Sequence, residues 1–308
     1  MGRTVFDAPF GNGAGELPVE AGRYRLIWSH SCPWSQRQAI ALKLLGLDGV
    51  ISMGTVNPLW TEAHLWDFSD KEDGVDPVLR IHELKEAYDK ADPGYEGDVI
   101  VPTIVDETTG KAVNTDHAAL LKYWELAWKP LQKKGAPDLY PASLREGIDT
   151  FNDWLLKHIL LAPYRTSGAA KQADYDAAYT AFFKDMDDLN ERLGDRRFLM
   201  GDYITDPDLR FYVFLVRFDL VFHDFCGLNR NLLCAWNHIW AYARELHKIP
   251  AFQETTFFED IKKSAQLADP GNPHGIVTLG PDLSSWNWEA AGRKELSHDP
   301  EHELRMQN

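Results

Sequence analysis

An α/β domain followed by an all-α domain is the architecture this chain predicts, and three observations carry it. Strand-like runs are confined to the residues before Asn114. The first of them, Tyr24–Trp28, leads through Cys32-Pro33 into a run with apolar residues at helical spacing, Ala39, Ile40, Leu42, Leu44 and Leu45. Beyond Pro141 every periodic segment has the spacing of a helix.

Bulk properties narrow the class. At 308 residues the chain suggests two domains, and a hydrophobic fraction of 44% supports an ordinary core. The net charge of −15 argues against nucleic acid or an anionic membrane as partner. No apolar run approaches the ~20 residues that span a bilayer, and residues 1–15 lack a signal-peptide pattern. Three cysteines make no disulfide framework, so a reducing cytoplasm is the expected compartment. Their spacing with the eleven histidines gives no metal site.

Residues 1–22 read as an irregular, Gly-rich leader, and 23–128 as the α/β domain. Within it Tyr24–Trp28 is a strand, 34–46 a helix stopped by Gly46, and Val50–Val56 a second strand. Residues 57–98 form a long loop with a short helix at His82–Tyr88, and Trp60 and Trp66 are expected to cover something. Val99–Asp106 is a third strand with Pro102 inside it, and a cis Val101–Pro102 bond is expected there. Glu107–Gly110 is a turn, Lys111–Asn114 a fourth strand, and Asp116–Trp128 a helix capped by Thr115 or Asp116. That order is a thioredoxin-like pattern. Three prolines mark 129–141 as a linker. Helices are predicted over Ser143–Leu160, Lys171–Leu193, Asp206–Phe222, Leu232–Lys248 and Phe257–Leu267, giving a helical substrate domain over 142–284. Residues 285–308 read as a polar tail, charge-rich and loose.

Chemistry concentrates at Cys32. A thiol where a strand ends and a helix begins meets unpaired N–H groups and the positive end of the helix dipole, both of which favour the nucleophilic thiolate. Pro33 suits the first helical turn, and His30 and Arg37 are expected to add positive potential. Ser35 occupies the second position of a C-x-x-C pair, so this is a one-thiol site.

A thioredoxin-like domain followed by helices resembles a glutathione transferase, and the local blocks are similar to its Xi class, the glutathionyl-hydroquinone reductases. Those blocks are Ser31-Cys32-Pro33-Trp34-Ser35-Gln36-Arg37, Asp92-Pro93-Gly94-Tyr95-Glu96-Gly97 leading to Val101-Pro102, Asp138-Leu139-Tyr140-Pro141, Gly201 to Arg210, Val216-Arg217-Phe218-Asp219 and Asn272 to Pro281. The resemblance implies glutathione, or another low-molecular thiol, as cosubstrate, a quinone-derived aromatic substrate and a homodimer. It implies that Cys32 attacks the sulfur of a glutathionyl-hydroquinone, keeps the thiol as a mixed disulfide, and is released by a second thiol. It places Trp34 beside the sulfur, Val101 and Pro102 on the cysteinyl part of the tripeptide, Trp66 over it, Asp116 with His117 at the γ-glutamyl end, and Tyr164 on the hydroquinone oxygen. The chain departs from the pattern at Asp116-His117, where the family has Glu-Ser, and after Ile261-Lys262, where a tyrosine pair is missing. An omega-like thioltransferase or dehydroascorbate-type reductase, and a non-catalytic binding module on the same fold, are the alternatives.

Overall fold

The protein was analysed as a computed structural model, which describes residues 6–59 and 66–307. Trp60 therefore lies outside the described residues. The chain divides into two compact units, Met1–Ala136 with Glu259–Val277, and Pro137–Phe258 with Thr278–Asn308.

The first unit is built on a four-stranded sheet in the order β2-β1-β3-β4. Strand β1 (Tyr24–Trp28) is buried at all five positions and pairs on both edges. It runs parallel to β2 (Ser52–Thr55), with Leu26 opposite Met53, and antiparallel to β3 (Thr103–Asp106), with Leu26 opposite Ile104. β3 pairs antiparallel with β4 (Lys111–Asn114). Parallel neighbours need a crossover, and α1 (Pro33–Leu45) supplies it.

The helix ends where the sequence places its stop. Gly46 has φ 67°, its N–H reaches Lys43 O, and Leu47 N–H reaches Leu42 O, a paired closure of the last turn. The third strand is shorter than expected: the ladder begins at Thr103 rather than Val99, because Pro102 has no N–H to contribute. The Val101–Pro102 bond is cis, as expected. The long loop carries a turn at Glu72–Gly74, and its helix, α2, lies at Lys85–Ala91 rather than His82–Tyr88. Phe68, Ile81, Leu84, Tyr88 and Tyr95 anchor that loop in one cluster with Ile27, Val56 and Val101. A buried Arg25–Asp76 pair at 2.9 Å holds it too, with Asp76 also accepting from Val78 and Leu79 N–H. The expected helix from Asp116 becomes α3 (Leu120–Lys122), which continues as a π-turn over Tyr123–Ala127.

The second unit is helical. It contains α4 (Arg145–Leu155), α5 (Ala162–Ser167), α6 (Gln172–Asp195), α7 (Asp206–Arg217), α8 (His223–Phe225), α9 (Asn237–His247) and α10 (Pro250–Gln253). All twelve residues of α7 are buried, and its start is closed by a capping box between Thr205 and Asp208. Helices α4 and α7 continue into π-turns at Leu156–Leu160 and Phe218–Phe222. The last helix, α11 (Phe258–Leu267), groups from Glu259 onward with the first unit.

The tail expected to be loose is packed. Arg197, fully buried, donates to Pro300 O at 3.0 Å, His302 O at 3.2 Å and Glu303 Oε1 at 2.9 Å. Arg293, 2% exposed, reaches Leu193 O at 2.6 Å and Glu245 at 3.3 Å. Composition alone reads such a segment as solvated. Buried guanidinium groups need acceptors, however: Arg197 finds them on the tail's carbonyls, and the tail's own Arg293 on Leu193 O and Glu245.

Gly46→Ala tests the closure of α1. An added Cβ would meet Lys133 Cβ at 2.6 Å and sit at positive φ. Urea unfolding should show a loss of about 1–2 kcal/mol, whereas Gly49→Ala, whose Cβ meets nothing within 4 Å, should stay within about 0.5 kcal/mol.

Candidate active site

Cys32 is the N-cap residue of α1, with Pro33 at the first helical position. The chain reaches it through a tight turn in which Cys32 N–H donates to Ser29 O at 3.2 Å. Its Sγ lies 3.6 Å from Val101 O, the carbonyl of the cis peptide, so the thiol form donates there. Cys32 is partly buried, packs against the sheet's apolar cluster, and is a free thiol. Ser35 does not offer a second nucleophile. It is fully buried, accepts from Ser29 N–H and donates to Ser29 O and Cys32 O, each at 3.2 Å. The turn is closed further by a 2.9 Å contact between the Ser29 and Ser31 hydroxyls.

The first turn of α1 grips the segment before α3. The Arg37 guanidinium, 1% exposed, donates to His117 Nδ1 at 2.9 Å and His117 O at 2.8 Å, and lies 5.0 Å from the Trp34 ring. Gln38 donates to the same carbonyl at 3.1 Å. Trp34 stacks on the His117 ring at 5.0 Å and 25°. Because arginine only donates, His117 Nδ1 is the acceptor. Asp116 precedes it and caps the helix start, its Oδ1 accepting from Ala118 and Ala119 N–H at 3.0 Å. Oδ2 is not used in that cap.

Trp66, at φ 57°, donates its indole N–H to Val99 O at 3.1 Å. The tryptophan of the long loop thus ties that loop to the segment leading into Val101-Pro102. Cys32, Trp66, Val101 and Pro102 come together in the first unit, as do Trp34, Asp116 and His117 around Arg37. Tyr164 belongs to the second unit, on α5, and is 57% exposed.

Two expectations change. His30 does not add fixed positive charge: burial pushes its pKa down, against the opposing pull of its hydrogen bond with Asp260. Arg37 is spent on His117 and Trp34 rather than aimed at the sulfur alone. The sequence also gave no sign that His30 Nδ1 meets Asp260 Oδ2 at 2.6 Å, because the two are 230 residues apart. A histidine two residues before the cysteine was the only available signal.

Comparison with known proteins decides the family. A model described as Glutathione S-transferase, C-terminal domain, matches residues 172–245. The glutathionyl-hydroquinone reductase YqjG of Escherichia coli is 32% identical over 281 residues, covering 90% of this chain and 85% of the relative. The chain belongs to the glutathionyl-hydroquinone reductases, the Xi class of glutathione transferases. A solved glutathione transferase from Gordonia bronchialis superposes with a TM-score of 0.90 at 39% identity, covering 96% of this chain and 92% of that one. The Xi-class enzyme of Natrialba magadii gives 0.88 at 30%, with 96% and 92% covered. YqjG, solved with glutathione bound, gives 0.83 at 31%, with 93% and 92% covered. This Xi-class chain accordingly has the glutathione transferase fold expected of it, a thioredoxin-like domain and a helical one. Among the described residues no helix is long and apolar enough to cross a membrane, and no cluster of three or more metal-ligating side chains is present.

The Arg37–His117 contact predicts a structural cost independent of catalysis. His117→Ala removes a ring stack and one acceptor from a buried cation, and should lower stability by about 1–3 kcal/mol in denaturant unfolding. His117→Asn, which keeps an acceptor near Nδ1, should recover part of it.

Proposed function

We propose that this chain is a thiol-dependent reductase that removes glutathione, or a related low-molecular thiol, from glutathionyl-hydroquinone-type thioethers through a mixed disulfide on Cys32. The observation that carries the reading is the single thiol at the N-cap of α1, 3.6 Å from the Val101 carbonyl, with the second C-x-x-C position closed by a hydrogen-bonded serine. The helix N-terminus favours the thiolate. Thiolate attack on the thioether sulfur forms the S–S bond. The C–S electron pair passes to the ring carbon, which takes up a proton. A second thiol then exchanges with the Cys32 disulfide and leaves as the oxidised dimer.

The remaining roles extend the same reading. In this reading Val101 and Pro102 meet the cysteinyl part of glutathione, Trp66 covers the tripeptide and Trp34 flanks the sulfur. Asp116 and His117 stand at the γ-glutamyl end, where Asp116 Oδ2 accepts the ammonium group. Tyr164 hydrogen-bonds the hydroquinone oxygen and stabilises the leaving ring. The enzyme acts as a homodimer in the cytoplasm, where its three free cysteines stay reduced.

Cys32→Ser should abolish turnover of glutathionyl-menadiol, and a variant with full activity would refute the reading. Asp116→Asn keeps an oxygen for the helix cap and removes the charge. It should raise KM for glutathione several-fold at unchanged stability, and an unchanged KM removes Asp116 from the binding site. Light scattering checks the dimer, which a monomer mass would exclude.

A further inference from the structure

His30 and Asp260 lie outside every role assigned so far, yet they meet at the turn that ends in Cys32. His30 follows Ser29 in the turn closed by Cys32 N–H on Ser29 O. Its side chain is 15% exposed, lies against the Trp28 ring at 5.1 Å, and places Nδ1 2.6 Å from Asp260 Oδ2. Asp260 comes from α11, in the part of that helix that groups with the first unit. An ionised carboxylate only accepts, so Nδ1 carries the proton and Nε2 is the basic nitrogen. The carboxylate also stabilises the imidazolium that forms when Nε2 takes a proton.

We propose that the His30–Asp260 pair handles the proton of the incoming thiol in the resolving half of the Cys32 cycle. The inference rests on the mixed-disulfide reading above. Nε2 takes the proton of a second thiol, giving a thiolate and an imidazolium. The thiolate attacks the outer sulfur of the Cys32 mixed disulfide, forming the new S–S bond. The broken bond leaves its electron pair on Cys32 as thiolate. In the other half-reaction the ring carbon released from the thioether gains one proton. Each cycle therefore takes one proton from a thiol and delivers one to carbon, and a single acid–base group balances it. One thiol sulfur and the thioether sulfur become a disulfide while the C–S bond is reduced to C–H.

The alternatives near Cys32 serve this less well. Val101 O and the hydroxyls of Ser29, Ser31 and Ser35 are not basic at neutral pH. His117 Nδ1 is held by the Arg37 guanidinium, which opposes a second positive charge. His30 instead faces a carboxylate. Lys71 and Asp70, themselves paired at 2.6 Å, also act on it. Burial lowers the His30 pKa and so favours the neutral imidazole, the form that can accept a proton, at rest.

The test isolates the resolving step. The full chain is loaded at Cys32 with oxidised glutathione, mixed with reduced glutathione, and followed by mass and stopped flow across pH. His30→Gln should slow resolution on the order of a hundredfold near pH 7. The deficit should close above the free thiol value of about 8.5, where the thiol needs no base. Asp260→Asn keeps an acceptor for Nδ1 and guards against misfolding, and it should show a smaller loss with the same pH trend. Wild-type rates in both variants at pH 7, or a deficit equal at every pH, would overturn the proposal. Failure of the wild type to turn over thioethers, with resolution intact and His30-dependent, would overturn the substrate assignment alone. A wild-type Cys32 that takes up no thiol would overturn both.

Discussion

A buried cation fixes the geometry of the thiol domain. Arg37 sits one turn into α1, 1% exposed, and reaches both the ring and the carbonyl of His117, 80 residues away. Burying a guanidinium is costly unless its donors are matched, so α1 and the segment before α3 cannot move apart without exposing or orphaning that charge. Trp34, on the same turn, completes the lock by stacking on the His117 ring. The helix that carries Cys32 and the segment that carries Asp116 are therefore one rigid piece. The His117 imidazole serves both, as the acceptor for Arg37 and the stacking face for Trp34.

A second tie acts on the segment whose carbonyl meets the sulfur. Trp66 donates to Val99 O, two residues before the carbonyl that faces Cys32 Sγ. Arg25–Asp76 and the apolar anchors Phe68, Ile81 and Leu84 hold the loop's described residues after Trp66. A loop of this length would ordinarily be free to fluctuate. Here a buried ion pair and a share of the core make it part of the site wall. A positive φ at Trp66 fits that view, since a non-glycine residue holds such a backbone only where its surroundings impose it.

The local signals in the sequence located what local physics decides. The strand at Tyr24–Trp28, the helix stop at Gly46, the cis Val101–Pro102 bond and the start of α7 at Asp206 all follow from a few adjacent residues. So does Cys32 at a helix N-terminus. What the sequence could not display were pairs joined only by the fold, such as Arg37–His117 and His30–Asp260. The start of the third strand was misjudged because apolar residues continue through Val99–Val101 while the ladder cannot. The tail's charges look solvated in one dimension, whereas in the fold buried Arg197 draws on its backbone and its own Arg293 reaches Leu193 O.

The closure of Ser35 has a consequence for the whole cycle. A dithiol site resolves its own mixed disulfide, and its rate is independent of external thiol. In this chain the second position is a hydroxyl with both of its roles filled by the Ser29–Cys32 turn. Burial pushes the Cys226 thiol up, away from ready exchange. In the proposed mixed-disulfide cycle, every turnover draws in a second thiol from solution and deprotonates it. Most of a free thiol with a pKa of about 8.5 is protonated at neutral pH, so the step that a C-x-x-C pair performs internally becomes one that needs a base. The turn that removes the second thiol also presents His30, and α11 supplies the carboxylate that makes its imidazole useful. In the proposed cycle, the missing internal thiol and the His30–Asp260 pair answer one chemical requirement.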